Sequence, residues 1–161
     1  MKKTASEKIG IGCIGIGTRG LELLKMSLNH EDVEVTALCD VNKGSSDYPE
    51  FVSDRRGGLE AGCDIYKLFT GGGDCECYRD YRVMLDEEDL DSVIIATPDH
   101  SHAVIASAAM KKGKHVYCEK PLTHNVYEAR YLQNLAEKSG VVTQMGNQGH
   151  ASEGIRLICE W

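Results

Sequence analysis

A glycine-rich hexapeptide near the amino terminus limits the fold more than any other feature of the chain. Gly15-Ile16-Gly17-Thr18-Arg19-Gly20 is a G-x-G-x-x-G string. It ends an apolar, β-branched run (residues 9–16) and opens a stretch (18–30) in which Leu21, Leu24 and Leu28 recur at helical spacing. A strand that turns into a helix through such glycines is the setting the string needs to bind a dinucleotide. Gly15 permits the tight turn, Gly17 lets backbone approach a pyrophosphate, and Gly20 lets the helix pack close to the sheet. The helix start then offers unpaired N–H groups and a positive dipole end to the phosphates. A glycine-rich turn that binds nothing is the alternative.

A second signal agrees with the first. Asp40 lies twenty residues after Gly20, at the end of the apolar run 33–39. A carboxylate there accepts hydrogen bonds from both adenosine-ribose hydroxyls and repels a 2′-phosphate. NAD is therefore expected in preference to NADP. Lys43 nearby could offset the repulsion, and a solvated loop aspartate is the plainer reading.

Strand and helix patterns alternate through the rest of the chain. Strands are predicted at 75–78, 92–96, 115–118 and 141–145, and helices at 79–88, 102–112, 125–139 and from 152 onward. Gly113 and Gly140 close two of the helices, and Asn125 with Glu128 three residues on reads as a helix start. Continuously apolar strands joined by helices indicate a parallel sheet covered on both faces. Right-handed crossovers make it a doubly wound α/β sheet, and six strands suit the order 3-2-1-4-5-6. The glycine-rich segment 41–74 resists this pattern; a helix at 49–56, with Pro49 in its first turn, followed by a loop is expected there. The predicted division is a tail at 1–8, a dinucleotide-binding domain at 9–150, and the start of a linking helix at 151–161.

The 161 residues suit one domain, and the formal net charge is −7. No Lys/Arg cluster exceeds a dipeptide, so no nucleic-acid partner is expected. No apolar run approaches the roughly 20 residues of a membrane span, and the polar first eight residues carry neither a secretory nor a twin-arginine signal. A cytoplasmic location is expected. Among the seven cysteines, Cys13, Cys39 and Cys118 sit in apolar strands and read as small buried hydrophobes. The odd count argues against a disulfide framework. Cys63, Cys75 and Cys77 form one C-x-C without a second ligand pair, so no metal is expected.

Polar groups gather at three further strand ends: Thr97-Pro98-Asp99-His100-Ser101-His102, Cys118-Glu119-Lys120-Pro121-Leu122 and Gly146-Asn147-Gln148-Gly149-His150. Ligands of open parallel sheets bind outside the carboxyl ends of the strands. A loop cap or solvated turn is the alternative at each. His30 and His124 read as surface or cap residues, and His115 as a strand residue.

GIGTRG, TPDHSHA, EKPL and GNQGH, in this order, resemble the Gfo/Idh/MocA oxidoreductases across residues 9–161. The resemblance is greatest to the branch with TPDHxHA and GNQ. It implies that Lys120 is catalytic, lying beside the nicotinamide and moving the proton of a substrate hydroxyl during hydride transfer. It implies that Glu119 contacts the nicotinamide ribose, with Pro121 completing that cofactor motif. Thr97 and Pro98 would lie against the cofactor, with His102 at the histidine of the family's usual TPNxxH pattern. Asp99 stands where that pattern has asparagine, and Asn147 would approach nicotinamide and substrate. The implied substrates are sugars or polyols. Family members carry a second α/β domain that binds substrate and usually an identical subunit. This chain has no such segment and stops at Trp161 within a helical pattern, so it is expected to be the front of a longer, homo-oligomeric enzyme and inactive alone. Relatives with a similar GNQGH pattern are NAD-dependent glycoside hydrolases that work by transient oxidation. A non-catalytic NAD-binding module is the third reading.

Overall fold

The computed structural model describes residues 8–46 and 56–161. Its elements in chain order are β1 (Ile9–Ile14), α1 (Thr18–Leu28), β2 (Val33–Cys39), α2 (Leu59–Thr70), β3 (Glu76–Tyr78), α3 (Tyr81–Glu87), β4 (Ser92–Ile95), α4 (Asp99–Lys111), β5 (His115–Glu119), α5 (Val126–Ser139), β6 (Thr143–Gly146), α6 (Gln148–Ala151) and α7 (Glu153–Glu160). The six strands are parallel and lie in the order β3-β2-β1-β4-β5-β6. This is the doubly wound Rossmann sheet that the apolar strands and helical linkers predict. The strand order reverses between β1 and β4, so a crevice opens at their carboxyl ends.

Each face of the sheet has its own core. On one face Ile11, Cys13, Val35 and Leu38 meet Leu21 and Leu24 of α1 and Leu59 and Ile65 of α2. On the other, Ile14, Ala37, Val93 and Ile95 meet Met84 of α3, Ile105 and Ala109 of α4 and Leu132 of α5. Strands covered on both sides have no polar face, which is why β1 is apolar without alternation. Complete burial of one leucine, such as Leu24, stabilises by about 1.5–3 kcal/mol.

One expectation fails. Residues 59–70 form the helix α2, where a loop is predicted. The glycines of this segment serve close packing: a Cβ on Gly62 would stand 2.9 Å from Ile16 Cγ2 and 3.0 Å from Leu38 Cδ1. Gly71, at φ 73°, ends the helix in the left-handed conformation. The helix expected at 49–56 lies outside the described residues except for Arg56, which is not helical.

Several boundaries move for local reasons. α4 starts at Asp99, three residues earlier than expected, because Pro98 caps it and Asp99 suits the positive end of the dipole. α5 starts as predicted, with Asn125 Oδ1 accepting from the Glu128 N–H at 2.9 Å. β6 begins at Thr143, two residues later than expected. No helix among the described residues is long and apolar enough to cross a membrane.

Candidate cofactor-binding site

The glycine turn sits where β1 hands over to α1. Gly15 has φ +88°, and a Cβ on it would lie 2.6 Å from the carbonyl carbon of Ala96 at the end of β4. Its N–H donates to the Cys39 carbonyl at 2.8 Å, so the turn is fixed from both neighbouring strands. A Cβ on Gly20 would fall 1.8 Å from the Gly15 oxygen. Both positions therefore exclude every side chain. Gly17 differs: its φ of −80° is open to any residue. It caps α1 without a side-chain hydrogen bond, so the first-turn N–H groups of Thr18 and Arg19 keep their donors for a ligand.

Asp40 stands beside this turn at the end of β2. Its Oδ2 accepts from the Ile16 N–H at 2.6 Å and its Oδ1 from the Asn42 N–H at 2.8 Å. The carboxylate is thus aimed by backbone, and each oxygen retains a lone pair for a further donor. Lys43 lies 3.7 Å from Glu60, and both side chains are exposed. The Asn42 contact is an Asx-turn: its signature is Asp40 itself, and any residue but proline at position 42 could donate the N–H.

Glu119, at the end of β5, is buried. Its Oε1 accepts from Arg19 Nε at 2.8 Å and from the Tyr117 hydroxyl at 3.4 Å. Arg19 also donates to Glu22 at 2.8 Å. Partial desolvation opposes the guanidinium's charge, but the hydrogen bonds to Glu22 and Glu119 outweigh it and hold Arg19 above its usual range. Gly146 makes room for this cluster, since a Cβ there would meet Glu119 Oε1 at 2.6 Å and the Tyr117 oxygen at 2.7 Å. Sequence reasoning missed Tyr117; its signal is the two-residue strand period that puts it on the face of Glu119.

Lys120 is exposed, next in the chain, and its N–H donates to the Gly146 carbonyl at 3.2 Å. Because Glu119 pairs with Gly146 across β5 and β6, Lys120 and Asn147 leave the sheet side by side. No described hydrogen bond or ion pair holds the Lys120 ammonium. The Lys120-Pro121 peptide is cis.

His102 is fully buried, not open to a ligand. Its Nδ1 lies 2.6 Å from the Pro121 carbonyl oxygen and its Nε2 lies 2.7 Å from the Thr97 carbonyl oxygen. Carbonyl oxygens only accept, so both contacts are hydrogen bonds when both ring nitrogens carry protons. The ring thereby ties the turn after β4 to the turn after β5. Thr97 Oγ1 accepts from Ser101 Oγ at 2.8 Å, and Pro98 is exposed.

Elsewhere, burial pushes the Cys13 and Cys118 thiols up to about 12, which fits small buried hydrophobes. Among the described residues no group of three or more His, Cys, Asp or Glu is placed to hold a metal ion.

The sheet agrees with a comparison to known families. A model of the Gfo/Idh/MocA oxidoreductase family, NAD-binding Rossmann fold, matches residues 67–147. The chain belongs to this family.

Among its Gfo/Idh/MocA relatives, a "Glycosyl hydrolase family 109 protein 1" from Shewanella sp. (strain MR-4) is 32% identical over 134 residues, covering 83% of this chain and 27% of the relative. An inositol 2-dehydrogenase from Salmonella paratyphi B is 29% identical over 130 residues, covering 80% and 33%. In fold, the chain matches scyllo-inositol dehydrogenase from Lactobacillus casei, solved with bound NAD(H) and scyllo-inositol. The TM-score is 0.72 at 21% identity, over 94% of this chain and 40% of that one. The chain thus spans about a quarter to a third of the length of the curated relatives it matches. It is an NAD-binding Rossmann domain of an oxidoreductase family.

Proposed function

We propose that this domain holds NAD for an oxidoreductase that acts on a sugar or polyol by hydride transfer. The observation that carries the reading is the meeting of four strand ends, where the glycine turn after β1, Asp40 after β2, Lys120 after β5 and Asn147 after β6 open on one edge of the sheet. Gly15, Ile16, Gly17, Thr18, Arg19 and Gly20 form the pyrophosphate cradle. The fit is physical: the N–H groups at the α1 start are uncapped, and Gly17 adds no side chain where phosphates would approach. Asp40 offers its remaining lone pairs to the adenosine ribose, which favours NAD over NADP. Thr97, Pro98, Glu119, Pro121 and Asn147 line the nicotinamide half.

NAD, when bound, supplies the hydride acceptor. Lys120 Nζ takes the proton of the substrate hydroxyl. Asn147, beside it, orients the substrate. His102 acts one layer deeper, fixing the Thr97 and Pro121 carbonyls so that the two turns keep their spacing. In the full-length enzyme, Lys120→Ala should lower turnover by about two to four orders of magnitude and leave NAD affinity near that of the wild type. Unchanged NADH formation from every sugar and polyol that the wild type oxidises would remove Lys120 from the reaction.

A second reading follows from the relatives named as family 109 glycosyl hydrolases. There the same residues would serve a transient oxidation with net hydrolysis. Release of the aryl group from an aryl glycoside, with no added NAD and no net NADH, would favour it.

A further inference from the structure

Three cysteines lie near one another where α2 meets the edge strand β3, and the cofactor site uses none of them. Cys63 belongs to α2 and Cys77 to β3. Their sulfurs are 2.9 Å apart, inside van der Waals contact. An approach of about 0.9 Å would bring them to a covalent S–S distance. Cys77 is exposed and Cys63 half-buried, so a small reagent can reach the pair. The third, Cys75, is turned away: its thiol donates to the Thr36 carbonyl at 3.3 Å. Cys13, Cys39 and Cys118 are buried.

We propose that Cys63 and Cys77 form a reversible disulfide that latches α2 to β3. The oxidant is a small-molecule disulfide such as oxidised glutathione. Burial, and then the contact with Cys63, push the Cys77 thiol up to about 12, so the reaction is slow at neutral pH and quickens as pH rises. The Cys77 thiolate attacks one sulfur of the external disulfide, breaking that S–S bond and releasing one thiol. Cys63 then attacks the Cys77 sulfur of the mixed disulfide and releases the second thiol. Two cysteine thiols are oxidised and one external disulfide is reduced to two thiols, which carry away the two protons.

The latch joins the two elements that back the dinucleotide turn. From α2's side, the Gly58 N–H donates to the Ile16 carbonyl at 2.7 Å; from β3's side, the Tyr78 carbonyl accepts from the Asp40 N–H at 3.1 Å. Cross-linking these flanks restricts the unfolded chain and stabilises the folded one.

The test treats the purified protein with oxidised glutathione, alkylates the remaining thiols and digests with trypsin. Cleavage after Arg56, Lys67 and Arg79 leaves Cys63 in peptide 57–67 and Cys77 in peptide 68–79. The expected product is these two peptides linked, with fragmentation placing the bond on Cys77 and alkyl groups on Cys75. The melting temperature should rise by about 5–10 °C, fall back with dithiothreitol, and stay unchanged in Cys63→Ser. Cys75→Ser should keep the link. Alkylation of both Cys63 and Cys77, a bond to Cys75, or a glutathione left on Cys77 would each overturn the proposal.

Discussion

Arg19 Nε donates to Glu119 Oε1 across 2.8 Å, and this one bond fastens the first turn of α1 to the carboxyl end of β5. It ties the mononucleotide half of the sheet that carries the glycine turn to the half that carries Lys120. The Glu119 side chain is 9% exposed and that of Arg19 26%. Losing the guanidinium would leave a buried carboxylate with only the Tyr117 hydroxyl, at 3.4 Å. Arg19→Ala should therefore destabilise by about 1–3 kcal/mol. Glu119→Gln, whose amide still accepts but carries no charge, should cost less. Urea unfolding of the two variants checks the order; an Arg19→Ala midpoint equal to the wild type's would contradict it.

Gly20→Ala tests the glycine turn itself. The added Cβ would meet the Gly15 oxygen at 1.8 Å, and backbone on both sides must move to admit it. The variant should lose NAD binding by at least about tenfold, since a displacement of the turn misaims several N–H donors at once. Calorimetric titration reads this directly, and binding at wild-type affinity would show that the turn does not hold the phosphates.

Acid stability should carry a contribution from Asp80. This residue caps α3, accepting from the Arg82 N–H at 2.9 Å and from the Arg82 guanidinium at 2.6 Å. The guanidinium first, and the backbone N–H second, hold its carboxyl down at about 2. A depressed folded-state value stabilises above the unfolded carboxyl range of about 4 and is lost as pH falls through the folded one. The gap in melting temperature between wild type and Asp80→Ala should be constant from pH 7 to 5 and close between about pH 4 and 2. A gap as wide at pH 2 as at pH 7 would contradict this. Exposure and screening keep the effect small.

Much of the architecture is readable from residue order because the signals are local. β1 carries no polar side chain and β4 none after Ser92, and Gly140 and Asn125 bound α5 as their own chemistry dictates. What escapes such reading depends on partners distant in sequence. Gly62 looks like a loop former until Ile16 and Leu38 are seen against it. His102 reads as a ligand-facing histidine, yet its ring is enclosed between the carbonyls of Thr97 and Pro121. The resemblance places Glu119 against a cofactor ribose, and nothing local announces its bond to Arg19, a hundred residues earlier. Cys63 and Cys77 are separated by a helix end and a glycine-rich turn, so their contact has no spacing signature. Polar strand-end residues announce a site, but which of them face a ligand and which face each other is decided by tertiary packing.

The central claim is that Asp40 and the glycine turn select NAD. Calorimetric titration of the purified protein with NAD and with NADP tests it most directly. Two hydrogen bonds to a carboxylate, set against repulsion of a 2′-phosphate, should make NAD bind about 10–100 times more tightly. Asp40→Ala should weaken NAD and narrow that difference. Tighter binding of NADP by the wild type, or an unchanged preference in Asp40→Ala, would contradict the account.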